Sequence, residues 1–192
     1  MVNCFMFLIS HFSFLIFFTM NLTDYIRSVF DFPIPGIHFR DITPLWENPA
    51  AFQESVRQMA EVVKDWGKID CIAAPEARGF IFAAPLALQL GAGLVPVRKP
   101  GKLPYNTVSL SYELEYGQNT IQMHEDAIKP GKRVLLIDDL LATGGTMDAC
   151  RQLVENQGGE VIGAMFLIEL LDLKGREKIQ IPAERVKALI QY

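Results

Sequence analysis

The sequence predicts an α/β protein in which a mostly parallel central sheet is flanked by helices. The first observation is a set of short, almost continuous apolar runs, which are typical of strands buried on both faces. These runs are residues 71–74, 94–97, 134–137, 161–168 and 188–190. The second is that segments with apolar residues at helical spacing separate several of these runs, as in βαβ units. The third is the length of 192 residues, half of them hydrophobic, which suffices for one domain with a sizeable core.

The elements follow from local signals along the chain. Asn48 and Pro49 form an N-cap and N1 pair, and the apolar spacing after them predicts a helix that Gly67 ends. Residues 79–90 predict an almost wholly apolar helix that Pro85 interrupts.

Further along, two more polar extended arms, residues 108–115 and 120–124, predict a hairpin or long flap, the natural candidate for a mobile element. Residues 146–157 predict a helix that Gly158 and Gly159 close. With the apolar runs, these helices place covering layers on both faces of the sheet.

Charge and cysteine content exclude several classes of protein. The net charge of −4 argues against wholesale binding of nucleic acids or anionic membranes, so any basic site must be local. Cys4, Cys71 and Cys150 show no Cys-x-x-Cys or Cys/His ligand spacing, which argues against a disulfide framework or a zinc site. We expect Cys71 and Cys150 to be small buried hydrophobes in a reducing cytosol.

Residues 1–19 differ from the rest of the chain. They contain no Asp, Glu, Lys or Arg and hold six of the 13 phenylalanines. A secretory signal would need a basic start and a small-residue cleavage site, yet the first basic residue is Arg27. A transmembrane span would need about 20 mostly apolar residues, and polar residues interrupt this stretch. Both interpretations are therefore weak.

A third interpretation is that Met20 starts the protein and that the preceding residues are an upstream in-frame read-through. The 40 charged residues (18 + 22) then fall among 173 residues, roughly 23%, nearer the usual share of about 25%. We expect residues 1–19 to be an apolar extension outside the fold and residues 20–192 to form a single domain.

The chemistry is concentrated in residues 134–146, VLLIDDLLATGGT. Ligands of open α/β sheets bind beyond the carboxyl ends of strands, where Asp138 and Asp139 are expected. The Gly-rich turn after them offers consecutive backbone N–H groups and two hydroxyls at a helix N-terminus, which favours a phosphate. Its residues are Ala142, Thr143, Gly144, Gly145 and Thr146.

Two adjacent acids beside such a cradle, without the lysine of a Walker loop, suit a sugar phosphate. The acids can accept the ribose hydroxyls, and magnesium can bridge the rest. The simpler interpretation, a solvated strand end followed by a capped helix, does not account for the whole thirteen-residue pattern.

Residues 134–146 resemble the phosphoribosyl pyrophosphate (PRPP) signature of the type I phosphoribosyltransferases. Other stretches resemble the adenine phosphoribosyltransferase family within that group. They are residues 32–45, 76–80, 97–104 and 112–117. The resemblance extends from about Asn21 onward and implies the type I fold with a small N-terminal hood and a mobile flap.

The resemblance implies an activity. It is transfer of the 5-phosphoribosyl group from PRPP to adenine, giving AMP and pyrophosphate, with Mg²⁺, in purine salvage. It also implies a cytoplasmic homodimer, and we expect neither nucleic-acid binding nor stable membrane association.

The same resemblance assigns roles at the reacting sugar. Departing pyrophosphate gathers negative charge and leaves an oxocarbenium-like carbon, so fixed cations are needed. The candidates are Arg78, Arg98, Lys99 and Lys102. Glu115 is the candidate acid/base for the purine protons. Asp138 and Asp139 would hold ribose and, largely through PRPP and water, the metal.

Base recognition by resemblance belongs to the hood around His38, Phe39 and Arg40, with Leu170 on the other face of the ring. Backbone groups at Phe39 and Arg40 can offer a donor and an acceptor to adenine. Residues 103–122, the flap, are expected to close over PRPP and exclude water. Tyrosines expected to order the flap or bind substrate are Tyr105, Tyr112 and Tyr116.

Two alternatives remain open at this point. One is a transferase for guanine, hypoxanthine or xanthine, which would share the PRPP half of the site; the hood motif and Glu115 argue against it. The other is a regulatory module that senses PRPP without catalysis. Glu115, Arg78 and Lys99 favour an enzyme.

Overall fold

The computed structural model describes residues 20–113 and 118–192, with a five-stranded parallel sheet at the centre. Along the chain, the strands are β1 (Arg27–Phe30), β2 (His38–Asp41), β3 (Cys71–Pro75), β4 (Gly93–Val97), β5 (Thr107–Glu113), β6 (Gln118–His124), β7 (Arg133–Leu141), β8 (Glu160–Glu169) and β9 (Val186–Gln191). The helices are α1 (Thr43–Glu47), α2 (Pro49–Val63), α3 (Arg78–Leu90), α4 (Gly145–Asn156) and α5 (Gly175–Lys178). The central sheet has the order β4-β3-β7-β8-β9, and all its neighbouring strands are parallel. The predicted α/β class is confirmed.

The sheet is buried on both faces, which explains its apolar runs. In β7, Leu135 and Ile137 point into a cluster with α2 and α3, whereas Val134 and Leu136 point into a second cluster with α4. All four are completely buried. Alternate residues of a strand point to opposite faces, so a strand covered on both sides has no polar positions.

Local signals place the first long helix correctly. The Asn48 side chain accepts a hydrogen bond from the Ala51 backbone N–H at 3.0 Å, as an N-cap does. Helix α2 starts at Pro49, and a short 3₁₀ turn carries the chain to Gly67, where φ is +83°. The predicted start and stop are confirmed.

Two predicted boundaries are wrong. Helix α3 continues through Pro85 without interruption. The proline withholds one helical N–H, the one that would reach the carbonyl of Ile81, and the helix tolerates this single loss. Strand β7 also continues beyond residue 137, because its backbone still pairs with β8 at Asp138 and Leu141 whatever the side chains are. The acidic pair therefore lies within the strand.

Two antiparallel hairpins accompany the sheet. Strands β5 and β6 form the predicted flap hairpin, and residues 114–117 at its tip lie outside the described residues. Strands β1 and β2 form the small N-terminal hood. Both hairpins lie apart from the central sheet in strand order, so they can cover its edge without interrupting it.

The expectations for residues 1–19, including Cys4, fall outside the described residues. Cys71 and Cys150 are buried free thiols, as predicted, and burial raises the pKa of both. None of the helices within 20–113 and 118–192 has the length and apolar character to cross a membrane.

Candidate active site

The carboxyl ends of parallel strands β3, β4, β7 and β8 meet at one edge of the sheet, where ligands of such folds bind. Arg78 begins α3 after β3, and Arg98 follows β4. Asp138 and Asp139 lie near the end of β7, and Leu170 follows β8. The topology thus brings to one edge residues that are up to 92 positions apart (78 to 170) in the chain.

The acidic pair lies where the start of α3 packs against β7. Asp139 Oδ2 is 3.0 Å from Nε of Arg78. The Asp139 backbone N–H donates to Asp138 Oδ1 at 2.9 Å. A Cβ at Gly79 would lie 2.9 Å from that same oxygen, so the contact requires glycine. One carboxylate is therefore paired with a cation, and the other is held by the backbone.

Both carboxyl groups are costly to ionise. Burial, and then the charge of Asp139, raise the pKa of Asp138 well above its usual range. Burial also raises the pKa of Asp139, although the Arg78 guanidinium opposes this shift. Bound cations or hydroxyl donors would offset the cost, so the pair is suited to receive a ligand.

The phosphate loop, residues 142–146, leads from β7 into α4. Its N-cap, Gly144, has no side chain to satisfy the first N–H groups of the helix, which leaves them for a ligand. Gly144 has φ of +79°, and a Cβ there would lie 2.3 Å from the carbonyl oxygen of Gly175. The loop borders a small cavity of about 80 Å³, which Asp138 also lines.

The predicted cations divide into two kinds. The Arg98 guanidinium donates to Glu76 Oε2 at 2.9 Å and to the carbonyl of Lys102 at 3.0 Å. The Lys99 backbone N–H donates to Glu76 Oε1 at 2.5 Å. Burial opposes ionisation of Glu76, but the bonds from Lys99 and Arg98 prevail and lower the pKa of its carboxyl. Arg98 thus orders its loop, whereas Lys99 and Lys102 are exposed.

The three hood residues do not share a face. His38 and Arg40 point to one side of β2, and Phe39 points to the other. The His38 ring stacks on Phe30 with centroids 4.2 Å apart, and Arg40 Cζ lies 3.8 Å above the Tyr192 ring. The side chains of all three therefore cannot contact one base together. Only the backbone groups of these residues in β2 can face the same base.

A cavity of about 380 Å³ lies on the Phe39 side of the hood. Its walls are Val29, Phe32, Phe39, Asp41, Ile42, Thr43, Trp46 and Arg78. Arg78 Cζ lies 5.7 Å from the centre of the Phe39 ring, so this cavity adjoins the Arg78–Asp139 pair. Such walls suit a flat, largely apolar ligand.

The remaining predicted residues are distributed as follows. Leu170 donates its N–H to the Leu141 carbonyl at 2.9 Å and lies beside the phosphate loop, not in the wall of the hood cavity. The Tyr112 hydroxyl lies 3.0 Å from that of Thr146. Tyr105 is exposed. Glu115 and Tyr116 lie outside the described residues.

Sequence reasoning missed the residues at the end of β8 and in α5 that support the phosphate loop. Glu169 is 2% exposed and accepts from Arg176 Nη2 at 2.7 Å. Burial opposes its ionisation, but hydrogen bonds from Arg176 and Gln191 lower its pKa. The adjacent Gly175 contacts the loop, since a Cβ there would lie 2.2 Å from the Ala142 carbonyl oxygen. The one sequence signal for this pair was Glu169 itself, an acid directly after the apolar run 161–168.

Comparison with known proteins gives consistent results. Residues 42–191 match the model of the phosphoribosyl transferase domain. An adenine phosphoribosyltransferase of Kosmotoga olearia is 54% identical over 173 residues, which are 90% of this chain and 100% of that protein.

Solved structures agree with this. The crystal structure of adenine phosphoribosyltransferase from Thermoanaerobacter pseudethanolicus has a TM-score of 0.85 and 50% identity, covering 89% of this chain and 98% of the other. The Saccharomyces cerevisiae enzyme, complexed with an imino-altritol bisphosphate and adenine, has a TM-score of 0.81 and 39% identity, covering 88% and 96%.

Proposed function

The chain belongs to the adenine phosphoribosyltransferase family of phosphoribosyl transferases, and on that basis we propose that its site transfers 5-phosphoribosyl from PRPP to adenine. The products are AMP and pyrophosphate, a step of purine salvage. The observation that carries this conclusion is the acidic pair of β7 directly followed by a phosphate loop, in a chain 54% identical to an enzyme of that name.

The ribose phosphate is assigned to β7 and the loop after it. The first-turn N–H groups of α4 and the hydroxyls of Thr143 and Thr146 take the 5-phosphate, with Ala142, Gly144 and Gly145 providing the backbone. Asp138 and Asp139 accept the ribose hydroxyls. Their charges also stabilise the positive charge that develops on the sugar as the leaving group departs.

The leaving group requires cations that are free to bind it. Lys99 and Lys102 are exposed and fit this role. Arg78 is 41% exposed and can contact substrate while it remains close to Asp139. Arg98 acts differently, by holding the loop that carries both lysines, because Glu76 engages its guanidinium.

Magnesium fits the acidic pair, because it prefers oxygen ligands and is usually held by one or two carboxylates together with substrate phosphates and water. When bound, the metal neutralises charge on the diphosphate. Asp138 lines the loop cavity and is the more accessible of the two candidate ligands, since Asp139 is already paired with Arg78.

Adenine is assigned to the hood, next to Phe39. Strands β1 and β2 form a ribbon of two strands, so alternate backbone groups of β2 face away from β1 and can donate to and accept from the base. His38 stacks on Phe30 within the ribbon, and Arg40 joins the ribbon to Tyr192, which follows β9. Leu170, which lies beside the phosphate loop and not in the hood wall, and Tyr116 complete the proposed set of substrate-binding residues, and Glu115 is the proposed acid/base.

The proposal includes one domain over residues 20–192, a cytoplasmic location and a homodimer. Two buried free thiols suit a reducing compartment. Ile81 and Leu88 of α3 and Leu94 of edge strand β4 are exposed, Leu88 by 85%, and offer an apolar face to a second copy. Light scattering should give a dimer for the wild type and a monomer for Leu88→Glu. A monomeric wild type would exclude the proposed homodimer.

The test of the activity is product formation from PRPP, Mg²⁺ and each of adenine, guanine and hypoxanthine. We expect AMP alone. Asp138→Asn and Asp139→Asn should each lower the rate about a hundredfold, the order of magnitude for one transition-state contact. Glu115→Ala should also lower it. Conversion of the oxo-purines alone would indicate a sister transferase, and PRPP binding without any nucleotide product would indicate a regulatory module.

A further inference from the structure

Flap and phosphate loop meet through two hydroxyl groups. Tyr112 Oη, on flap strand β5, lies 3.0 Å from Oγ1 of Thr146, the second residue of α4. Both side chains are partly buried. This contact joins two segments that are 34 residues apart in the chain.

The alternation of strand β5 aims Tyr112 at the loop. Val108, Leu110 and Tyr112 lie on the face that packs on the α4 cluster. Ser109 and Ser111 point away from it and bond to residues of β6, the partner strand of the flap. Tyr112 is also the last residue of the packed face before residues 114–117, so it anchors the base of the flap tip.

The proton of Thr146 decides what this contact can do. A threonine hydroxyl has one proton to donate and can still accept. A phosphate bound in the loop needs donors, so Thr146 must give its proton to the phosphate. The bond to Tyr112 then persists only with Tyr112 as the donor.

We propose that Tyr112 is a positioning residue for the phosphate site: its hydroxyl donates to Thr146 and thereby turns the Thr146 proton toward the bound phosphate. The inference deepens the proposed function, since it takes the loop as the site of the 5-phosphate. Successive hydrogen bonds in one chain strengthen each other. Phosphate in the loop therefore stabilises the base of the flap, and by reciprocity the seated flap raises affinity for phosphate.

The experiment measures binding of ribose 5-phosphate by calorimetry. Tyr112→Phe keeps the ring and its packing and removes only the hydroxyl. Its Kd should rise about two- to tenfold, the effect of one neutral hydrogen bond. The variant is made in three backgrounds: wild type, Thr146→Ser, which retains a hydroxyl, and Thr146→Val, which does not. We expect the effect of Tyr112→Phe to persist with serine and to vanish with valine.

The matched control is the other hydroxyl pair of the flap. Ser111 Oγ and Thr120 Oγ1 lie 2.8 Å apart on the exposed side of the same hairpin. Thr120→Val removes that bond and should leave the Kd of ribose 5-phosphate unchanged. In steady state, Tyr112→Phe should raise KM for PRPP and leave KM for adenine unchanged, a difference that general loosening of the flap would not produce.

The outcomes separate this inference from the proposed function. An unchanged Kd in Tyr112→Phe, or an equal loss in the serine and valine backgrounds, overturns the inference even if the wild type makes AMP. If the wild type binds ribose 5-phosphate but converts no purine, the proposed function fails, and the three-background comparison still decides the role of Tyr112.

Discussion

Asp138 illustrates how a residue expected to bind ligand can weaken the fold. Its carboxyl lies at the loop cavity, against Gly79 of α3, and burial together with the neighbouring charge of Asp139 raises its pKa. In the unfolded chain an aspartate ionises near pH 4. Between that pH and the higher folded pKa, the folded state holds more protons than the unfolded state, so this group lowers stability as the pH rises.

Asp138→Asn should therefore stabilise the protein at pH 7 while it lowers activity. The amide oxygen can still accept from the Asp139 N–H, and the buried charge is gone. A gain of about 1 kcal/mol would raise Tm by about 2–4 °C in a chain of this size. Calorimetry on both proteins at pH 4 and pH 7 measures the difference.

The gain should shrink at pH 4, where the wild-type carboxyl is protonated. Other groups also change stability with pH; Glu169, for example, has a lowered pKa and makes stability fall as the pH drops. These groups are the same in both proteins, so their contributions cancel in the stability difference. A variant less stable than the wild type at pH 7 would contradict the account.

Gly144 shows a different constraint, which is space. Gly144→Ala would combine a left-handed backbone with a Cβ 2.3 Å from the Gly175 oxygen. The matched control is Gly131→Ala, which has a similar φ of +78° and nothing within 4 Å of the new Cβ. The control should lose about 1–2 kcal/mol, the usual cost of that backbone conformation.

Gly144→Ala should lose more stability than the control and should no longer bind ribose 5-phosphate. Denaturant unfolding gives the free energy of unfolding of each variant, and calorimetry gives its Kd for ribose 5-phosphate. Equal stability losses and intact binding in both would mean that the loop can move away from Gly175.

At the scale of elements, the loop after β7 depends on the short helix α5 beneath it. Arg176 connects that helix to the end of β8 through Glu169 and to the Val186 carbonyl at 2.5 Å. The same helix begins with Gly175, against the phosphate loop. The Arg176–Glu169 ion pair thus holds α5, whose first residue, Gly175, contacts the loop after β7.

Arg176→Met should cost about 3–5 kcal/mol at pH 7, because Glu169 would remain buried with its charge uncompensated. Arg57→Met is the control: Arg57 pairs with Glu54 on an exposed helix surface, where such pairs contribute about 0–1 kcal/mol. Urea unfolding measures both.

In Arg176→Met, burial without the guanidinium raises the pKa of Glu169, so the deficit should decrease as the pH falls and the variant's carboxyl takes up a proton. A deficit that is as small as in the control would indicate that the pair contributes little. A large deficit that does not change with pH would assign the loss to packing of the arginine stem.

For the whole molecule, one question is whether residues 20–192 are sufficient. Met20 is partly buried and packs on the cluster between the sheet and helices α2 and α3. A chain that starts at Met20 should fold, with a Tm within about 2 °C of the full chain, less than 1 kcal/mol in a protein of this size. It should also form AMP at the same rate. Loss of folding or activity would make residues 1–19 part of the working structure.

Sequence alone determined the order and type of the main elements and the composition of the phosphate loop. These features depend on residues that are adjacent in the sequence. A few consecutive residues determine the Asn48 cap, the alternation within β7 and the turn before α4. The acidic pair and the loop could be predicted together because the chain passes directly from one to the other.

The tertiary structure decided which side chains pair, because parallel strands bring distant segments to one edge. Arg98, expected among the cations for the leaving group, binds Glu76, which lies 22 residues earlier. Arg78 reaches Asp139, and Tyr112 reaches Thr146. The sequence contains these donors and acceptors, but only the folded sheet and its hairpins bring them within hydrogen-bonding distance of each other.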